Sequence, residues 1–404
     1  MSGKQVKVLV KSSWQSVNIG DVGHTPGLLR LIEQAMPNAD ITLWAGNLDY
    51  GVDEMLKRDF PNVQIYVQRA NEAGMPTSSD LLQAWKDAEY YIHGSGPSLV
   101  AEHATRAWAN TGRPFGVYGV TLESFDANLL SLLNQADFIF CRDTDSLKAA
   151  RAAKVQVRYL EFAPDAAFAT NDRDDALANA YLNSVDLAPR EYICVLSRLR
   201  YTPYFKIQNR EPDLRERERQ EISEAHKESD HEPLRRLMID WVRETGKKVL
   251  LCPEMTYEIE LTKEELHDRM PEDVRPNVVW RDTYWRPDEA SSVYANAIAV
   301  VSMEMHSPIL ACAVNTPAFY LRVPTDTCKG QMWRDLGLPE WIFEVEDTDG
   351  SEMSAALLQL VNDPRRAQEK LAHAQSRVKH LQQRSMDIVR ECVSNSSVNV
   401  ATVL

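Results

Sequence analysis

The chain has 404 residues, a formal net charge of −14, and 44% hydrophobic and 26% charged residues. That length suits two ordinary domains and that composition is globular. So acidic a balance excludes a general nucleic-acid scaffold, which needs a basic face to neutralise phosphates. No stretch approaches the roughly 20 apolar residues of a bilayer crossing, so no membrane span is expected. The N-terminal MSGKQVKVLVKSSW enters a strand pattern directly, without an apolar leader. Cys141, Cys194, Cys252, Cys312, Cys328 and Cys392 are scattered and form no CxxC. A cytoplasmic protein with buried, reduced thiols is the expectation.

Residues 5–13 (QVKVLVKSS) read as a strand, residues 25–36 (TPGLLRLIEQAM) as a helix and residues 39–46 as a second strand. Residues 63–68 give another strand, 80–88 a helix and 88–96 (AEYYIHGSG) a strand. Residues 113–122 and 136–143 continue the strand series, with DANLLSLLNQ between them. Such alternation predicts a mostly parallel sheet covered on both faces, and continuous apolar strands such as FIFC agree. A polar stretch, residues 171–190, follows as a linker with its own short helix.

The pattern restarts with EYICVLSR at 191–198. Residues 206–232 are a dense mixed-charge run, expected to be a solvated helical insertion or a mobile loop. A helix at 233–246, strands at 247–253 and 277–282, and a helix at 287–297 come next. Residues 296–321 then read as strand, helix and strand, with His306 where the first strand gives way to the helix. In open α/β sheets that carboxyl end is where ligands bind, and a helix N-terminus there attracts anions. Asp363-Pro364 opens a long amphipathic helix whose apolar residues recur at three, four or seven positions. The expected organisation is a first domain at 1–170, a second at 191–360, and a C-terminal helix and tail at 361–404.

Several short motifs fall at strand ends. SVNIGDVGH sets Asn18, Gly20, Asp21 and His24 between the first strand and first helix. Glycines there permit close backbone approach, and Asp21 either caps the helix or accepts a substrate hydroxyl proton. IHGSGPSL brings Gly94, Ser95 and Gly96 to another strand end, without a full GxGxxG. Arg142-Asp143 ends a strand and Ser146 opens a helix, while Pro164-Asp165 begins PDAAF. No His or Cys pattern has metal-ligand spacing, so no metal or cofactor is expected.

Taken in order, these motifs resemble the polysaccharide pyruvyl transferase family. The likeness runs through NxGD at 18–21, the glycine loop at 94–96, RDxxS at 142–146 and PDxAF at 164–168. It continues through Ser197-Arg198 to the His306 unit and Lys329. The resemblance implies two Rossmann-like domains in a glycosyltransferase-B-like arrangement, the first on the acceptor side and the second on the donor side, with the site in the cleft between. It also implies transfer of a pyruvyl group from phosphoenolpyruvate to sugar hydroxyls, forming a ketal in cell-envelope or exopolysaccharide synthesis. His306 then matches the general acid, Arg198 the clamp on the anionic donor, and Asp21 the contact to the acceptor hydroxyls. The expected binding set adds Asn18, Gly20, His24, Gly94, Ser95, Gly96, Arg142, Glu304, Ser307 and Lys329.

One position departs from the family pattern, which has an arginine two residues before this histidine. Here it is Glu304. A carboxylate repels an anionic donor, so Arg200, Lys206, Arg322 or Lys329 must replace the missing cation, or the donor is a different anion. Glu304 is also expected to raise the His306 pKa. A nucleotide-sugar glycosyltransferase and a non-catalytic glycan-binding homologue are the alternative readings.

Overall fold

The computed structural model describes residues 5–11 and 15–400. Its first half builds one parallel sheet from β1 (Lys7–Lys11), β2 (Asp40–Ala45), β3 (Gln64–Val67), β4 (Tyr90–His93), β5 (Phe115–Val120), β6 (Phe138–Cys141) and β7 (Tyr159–Phe162). Their spatial order is β3-β2-β1-β4-β5-β6-β7. The second half repeats the plan with β8 (Tyr192–Leu196), β9 (Lys248–Leu251), β10 (Val278–Trp280), β11 (Val300–Ser302), β12 (Ala318–Arg322) and β13 (Ile342–Glu344). That order is β10-β9-β8-β11-β12-β13. Strand β1 lies between β2 and β4, and β8 between β9 and β11. Each sheet therefore changes its winding direction once, which opens a crevice at the carboxyl ends of those strands.

The expected α/β class with two Rossmann-like halves is what the chain adopts. Fully buried strands such as β4, β5, β6 and β8 are the continuous apolar runs of the sequence. Strand β7 was not legible because every one of its residues is only half-buried. Edge strands lack the apolar signature that marks a central one.

Three local readings need correction. The first helix starts at Ile19 rather than at residue 25, because the Asn18 side chain accepts hydrogen bonds from Gly20 N at 2.7 Å and Asp21 N at 3.2 Å. Asn18, not Asp21, is the cap, and Pro26 lies inside the helix. Near that proline, Thr170 Oγ1 donates to the Gly23 carbonyl at 2.8 Å. The charged run is helical, as one of its two readings expected, but it does not end before Pro233. It continues into the next segment as a single helix, Leu214–Thr245. A capping box between Asp213 and Glu216 opens that helix, and Gly246 closes it at φ 67°.

The C-terminal helix, Pro364–Val400, joins the two halves. Ala367, Leu371, Ala374 and Val378 enter the core of the second half. Met386, Val389, Cys392 and Val393 enter a core of the first. Tyr118 and Ser385 share a hydrogen bond of 3.0 Å on the same face. No described helix is long and apolar enough to cross a membrane.

This strap should carry measurable stability. Leu371 is fully buried, so Leu371→Ala should destabilise the protein by about 2–5 kcal/mol. The pair between Arg384, exposed on the same helix, and Glu161 of β7 should contribute under about 1 kcal/mol. Urea unfolding of Leu371→Ala and Arg384→Ala tests both, and equal losses would contradict the assignment.

Candidate active site

The loops leaving β1 and β9 meet at the floor of the cleft. Ile19 N donates to the Glu254 carbonyl at 3.0 Å and Thr256 N to the Val17 carbonyl at 3.1 Å. Above them lies a cavity of about 330 Å³ whose walls come from both halves. Its residues follow β1, β4 and β6 on one side and β8, β9, β11 and β12 on the other. These include the strand ends at both switch points, where open α/β sheets bind ligands.

On the first-half wall stand Asn18, Asp21, His24 and Arg142. His24 Nδ1 lies 2.9 Å from Asp165 Oδ1, and its Nε2 lies 3.8 Å from Asp21 Oδ1. Arg142 reaches across to Asp165 Oδ2 at 2.9 Å and to Thr121 Oγ1 at 2.7 Å. Burial would push the Asp165 carboxyl up, but His24 and Arg142 hold it well below the usual carboxylate range. An ionised, fully buried Asp165 thus fixes the imidazole of His24 so that Nε2 faces Asp21. In RDxxS, only Arg142 lines the cavity. Asp143 caps the helix Thr144–Ala152, and the Ser146 hydroxyl donates to Asp143 and accepts from Leu122 N.

On the opposite wall His306 opens the short helix His306–Ala313. The residue preceding that helix gives it no side-chain cap. Glu254 supplies one from another strand end: its Oε2 accepts from Ser307 N and Ser307 Oγ, both at 2.7 Å. Glu254 Oε1 lies 3.2 Å from His306 Nδ1. Nε2 of His306 has no hydrogen-bond partner among the described residues. The His24 and His306 rings meet edge-on, with centroids 4.6 Å apart. Gly20 makes this contact possible, since a Cβ there would come within 2.2 Å of His306 Nδ1.

The expectation that Glu304 raises the His306 pKa is overturned. Burial pushes His306 down to about 3, and His24, Lys329 and Arg142 lower it further against the opposing pull of Asp165. Glu304 instead pairs with Arg198 at 3.4 Å, beside Asp326 at 2.7 Å. Lys329 Nζ lies 3.7 Å from the same Asp326 oxygen. Burial raises the pKa of Glu304 although Arg198 opposes it. Of the four substitute cations, Lys329 alone lines the cavity. Arg200 is taken by Asp230 and Glu346, and Arg322 by Glu344.

Eight predicted residues therefore share one cavity: Asn18, Asp21, His24, Arg142, Arg198, Glu304, His306 and Lys329. Gly20 packs behind His306, and Ser307 is held by Glu254. Gly94, Ser95 and Gly96 stand one layer back at the end of β4, where Thr121 N donates to the Gly96 carbonyl at 3.1 Å, and Pro97 takes their place on the wall. Glu254 and Asp326 were missed. Each is an acid shortly after a strand, but their local sequences carry no motif.

His24, Asp165 and His306 also bring ligand atoms within 4.8 Å of one another. Sequence spacing gave no hint of this grouping. Both Asp165 oxygens already accept hydrogen bonds, Oδ1 from Ala167 N and Oδ2 from Arg142. That donor set fits a fixed acid–imidazole pair better than a cation site.

The family model described as polysaccharide pyruvyl transferase matches residues 50–323. No curated protein matches the chain in sequence. Among solved structures, the chain is similar to UDP-N-acetylglucosamine 2-epimerase from Rickettsia bellii, with TM-score 0.58 and 12% identity over 97% of this chain and 98% of that one. It is equally similar to the Neisseria meningitidis UDP-GlcNAc 2-epimerase bound to UDP-GlcNAc, with TM-score 0.58 and 10% identity over 96% and 100%. The E. coli ADP-heptose LPS heptosyltransferase II aligns at TM-score 0.51 and 16% identity over 88% and 99%. At such identities the likeness is one of fold, the glycosyltransferase-B-like arrangement of two parallel-sheet halves.

The depressed His306 pKa predicts a pH dependence. Folded His306 stays neutral down to about 3, whereas its ordinary value is 6.5. Between those values the unfolded chain binds the extra proton. Stability due to this group is thus present above 6.5 and is lost as pH falls, at up to about 1.4 kcal/mol per pH unit. His306→Gln should flatten the slope by up to one proton when urea midpoints at pH 7 and pH 5 are compared. An unchanged slope would contradict the burial argument.

Proposed function

The chain belongs to the polysaccharide pyruvyl transferase family, a family of polysaccharide-modifying transferases, and on that premise we propose that it moves the pyruvyl group of phosphoenolpyruvate onto two hydroxyls of a glycan sugar. The observation that carries this reading is the facing pair of walls. His306 and Arg198 stand at the ends of neighbouring strands, opposite Asp21 and His24.

In the proposed reaction His306 gives a proton to the terminal methylene carbon of the donor, leaving positive character at the carbon that bears the phosphate. The first sugar hydroxyl adds there, its proton passing to Asp21 or His24. The carbon–oxygen bond to phosphate then breaks, with the electron pair leaving on phosphate. The second hydroxyl closes the ketal. Of the two hydroxyl protons released, one restores the acid and the other leaves with phosphate. Positioned acids and bases of this kind contribute about 10²–10⁴-fold each.

Charge in the cleft supports the order of events. Before donor enters, burial and neighbouring cations keep His306 neutral, and Arg198 is neutralised by Glu304 and Asp326. A carboxylate and a phosphate arriving beside these groups favour protonation of both His306 and Glu304. Burial has already raised Glu304 in that direction. Protonated Glu304 leaves Arg198 and Lys329 sharing Asp326, a net positive charge that meets the donor as the acid becomes ready.

The deciding experiment follows phosphate release from phosphoenolpyruvate across a panel of sugar acceptors, with ketal formation read by mass. Nucleoside diphosphate release from nucleotide sugars, with no phosphate from phosphoenolpyruvate, would replace this reading with glycosyl transfer. His306→Gln should lower turnover by about 10²–10⁴-fold with unchanged circular dichroism. Glu304→Gln should lower the donor KM by roughly tenfold, equivalent to about 1.4 kcal/mol. A raised KM would show that Glu304 serves the donor directly.

A further inference from the structure

A second opening, of about 580 Å³, adjoins the catalytic cavity along the carboxyl edge of the first sheet. Gln15, Val100 and Tyr204 line both spaces, and Gln15 Nε2 donates to Tyr204 Oη at 3.1 Å where the two adjoin. Lys11 enters it from the end of β1, Asn47 from beyond β2 and Arg69 from beyond β3. His103, in the helix Glu102–Ala109, closes another side. The chain carries 59 acidic and 45 basic residues, yet no carboxylate is among the described residues lining this opening. The catalytic cavity differs, for there Asp21, Glu304 and Asp326 stand among the cations.

Lys11 is the unusual member. It is only 8% exposed, and its ammonium lies over the Trp44 ring at 4.0 Å. Among the described residues no carboxylate pairs with it, and burial lowers its pKa to about 8. A buried ammonium without a counter-ion is disfavoured unless something else supplies the negative charge. Arg69 is exposed on the same rim and, among the described residues, is likewise in no ion pair. Two cations without carboxylate partners thus converge on a space adjoining the proposed reaction centre.

We propose that this opening is a subsite for an anionic group of the acceptor, a uronate carboxylate or a sugar phosphate, held by Lys11 and Arg69. The hydroxyls that react then lie beyond Gln15 and Tyr204, in the cavity of His306. This assignment rests on the reading of that cavity as a transfer site. Arg69 offers a planar fork to either anion, and Lys11 a single buried charge.

Titration calorimetry with the full chain tests it without turnover. The probes are glucuronic acid, glucose 1-phosphate, glucose and inorganic phosphate. One anionic sugar should bind at least tenfold more tightly than glucose, and which one does so identifies the anion. Arg69→Ala should weaken that binding by roughly tenfold, as loss of a charge-assisted hydrogen bond does. Lys11→Met should do so too, and Arg384→Ala, on the C-terminal helix, should leave it unchanged. Equal binding of glucose, indifference to Arg69→Ala, or inorganic phosphate binding as tightly as glucose 1-phosphate would each overturn the proposal. Phosphate release from phosphoenolpyruvate is scored separately. Its absence, with anionic-sugar binding intact, would refute the pyruvyl reading and leave the subsite standing.

Discussion

Glu254 is the constraint on which the cleft depends. Its main-chain carbonyl accepts the first amide of the helix Ile19–Ala35, while its side chain caps the helix His306–Ala313. One residue, fully buried, thereby ties the helix that presents Asp21 and His24 to the helix that presents His306. Helix N-termini leave amides unsatisfied and carry partial positive charge, so the carbonyl of Glu254 answers one of them and its carboxylate the other. The edge-on contact of the two histidine rings and the absence of a Cβ at Gly20 follow from that arrangement. Any larger separation of the halves would break this bonding at its centre.

Around that joint the cleft is built with charges that balance one another. Asp165 holds Arg142 and His24; Asp326 holds Arg198 and Lys329; Glu304 shares Arg198. Buried charges are tolerated only when paired and hydrogen-bonded, which explains why so many ionisable groups coexist here. The cost is that a cation facing an anionic substrate must first exchange partners. Glu304 is well suited to yield, because its own burial favours the protonated form. The cavity between the two walls is therefore balanced, whereas the adjoining opening at Lys11 and Arg69 has cations without carboxylate partners in the described structure.

The C-terminal helix adds a second kind of coupling. Its apolar stripe enters the cores of both halves in succession, so relative displacement of the halves would pull apolar side chains out of one core or the other. Burial of that stripe is non-directional and strong, while the hydrogen bonds at the cleft floor are directional and few. Together they hold the two switch points in register.

The sequence by itself determined the architecture. Apolar runs such as YYIH, FIFC and YICVL could be satisfied only by strands covered on both faces, and their alternation with helical segments required parallel sheets. It also located His306, Arg198, Asn18 and Asp21 at strand ends, since the change from strand to helix pattern is a local property. What it could not reveal was pairing. That Glu304 faces Arg198 rather than His306, that Glu254 caps a helix by a contact 53 positions away, and that Asp165 orients His24 across 141 positions are contacts between distant segments. The direction of the His306 pKa had the same origin. Adjacency in sequence put a carboxylate two positions away, but burial and the neighbours brought in by folding set the sign. Local patterns select secondary structure, whereas electrostatic environment depends on which strand ends converge, and only the tertiary structure decides that.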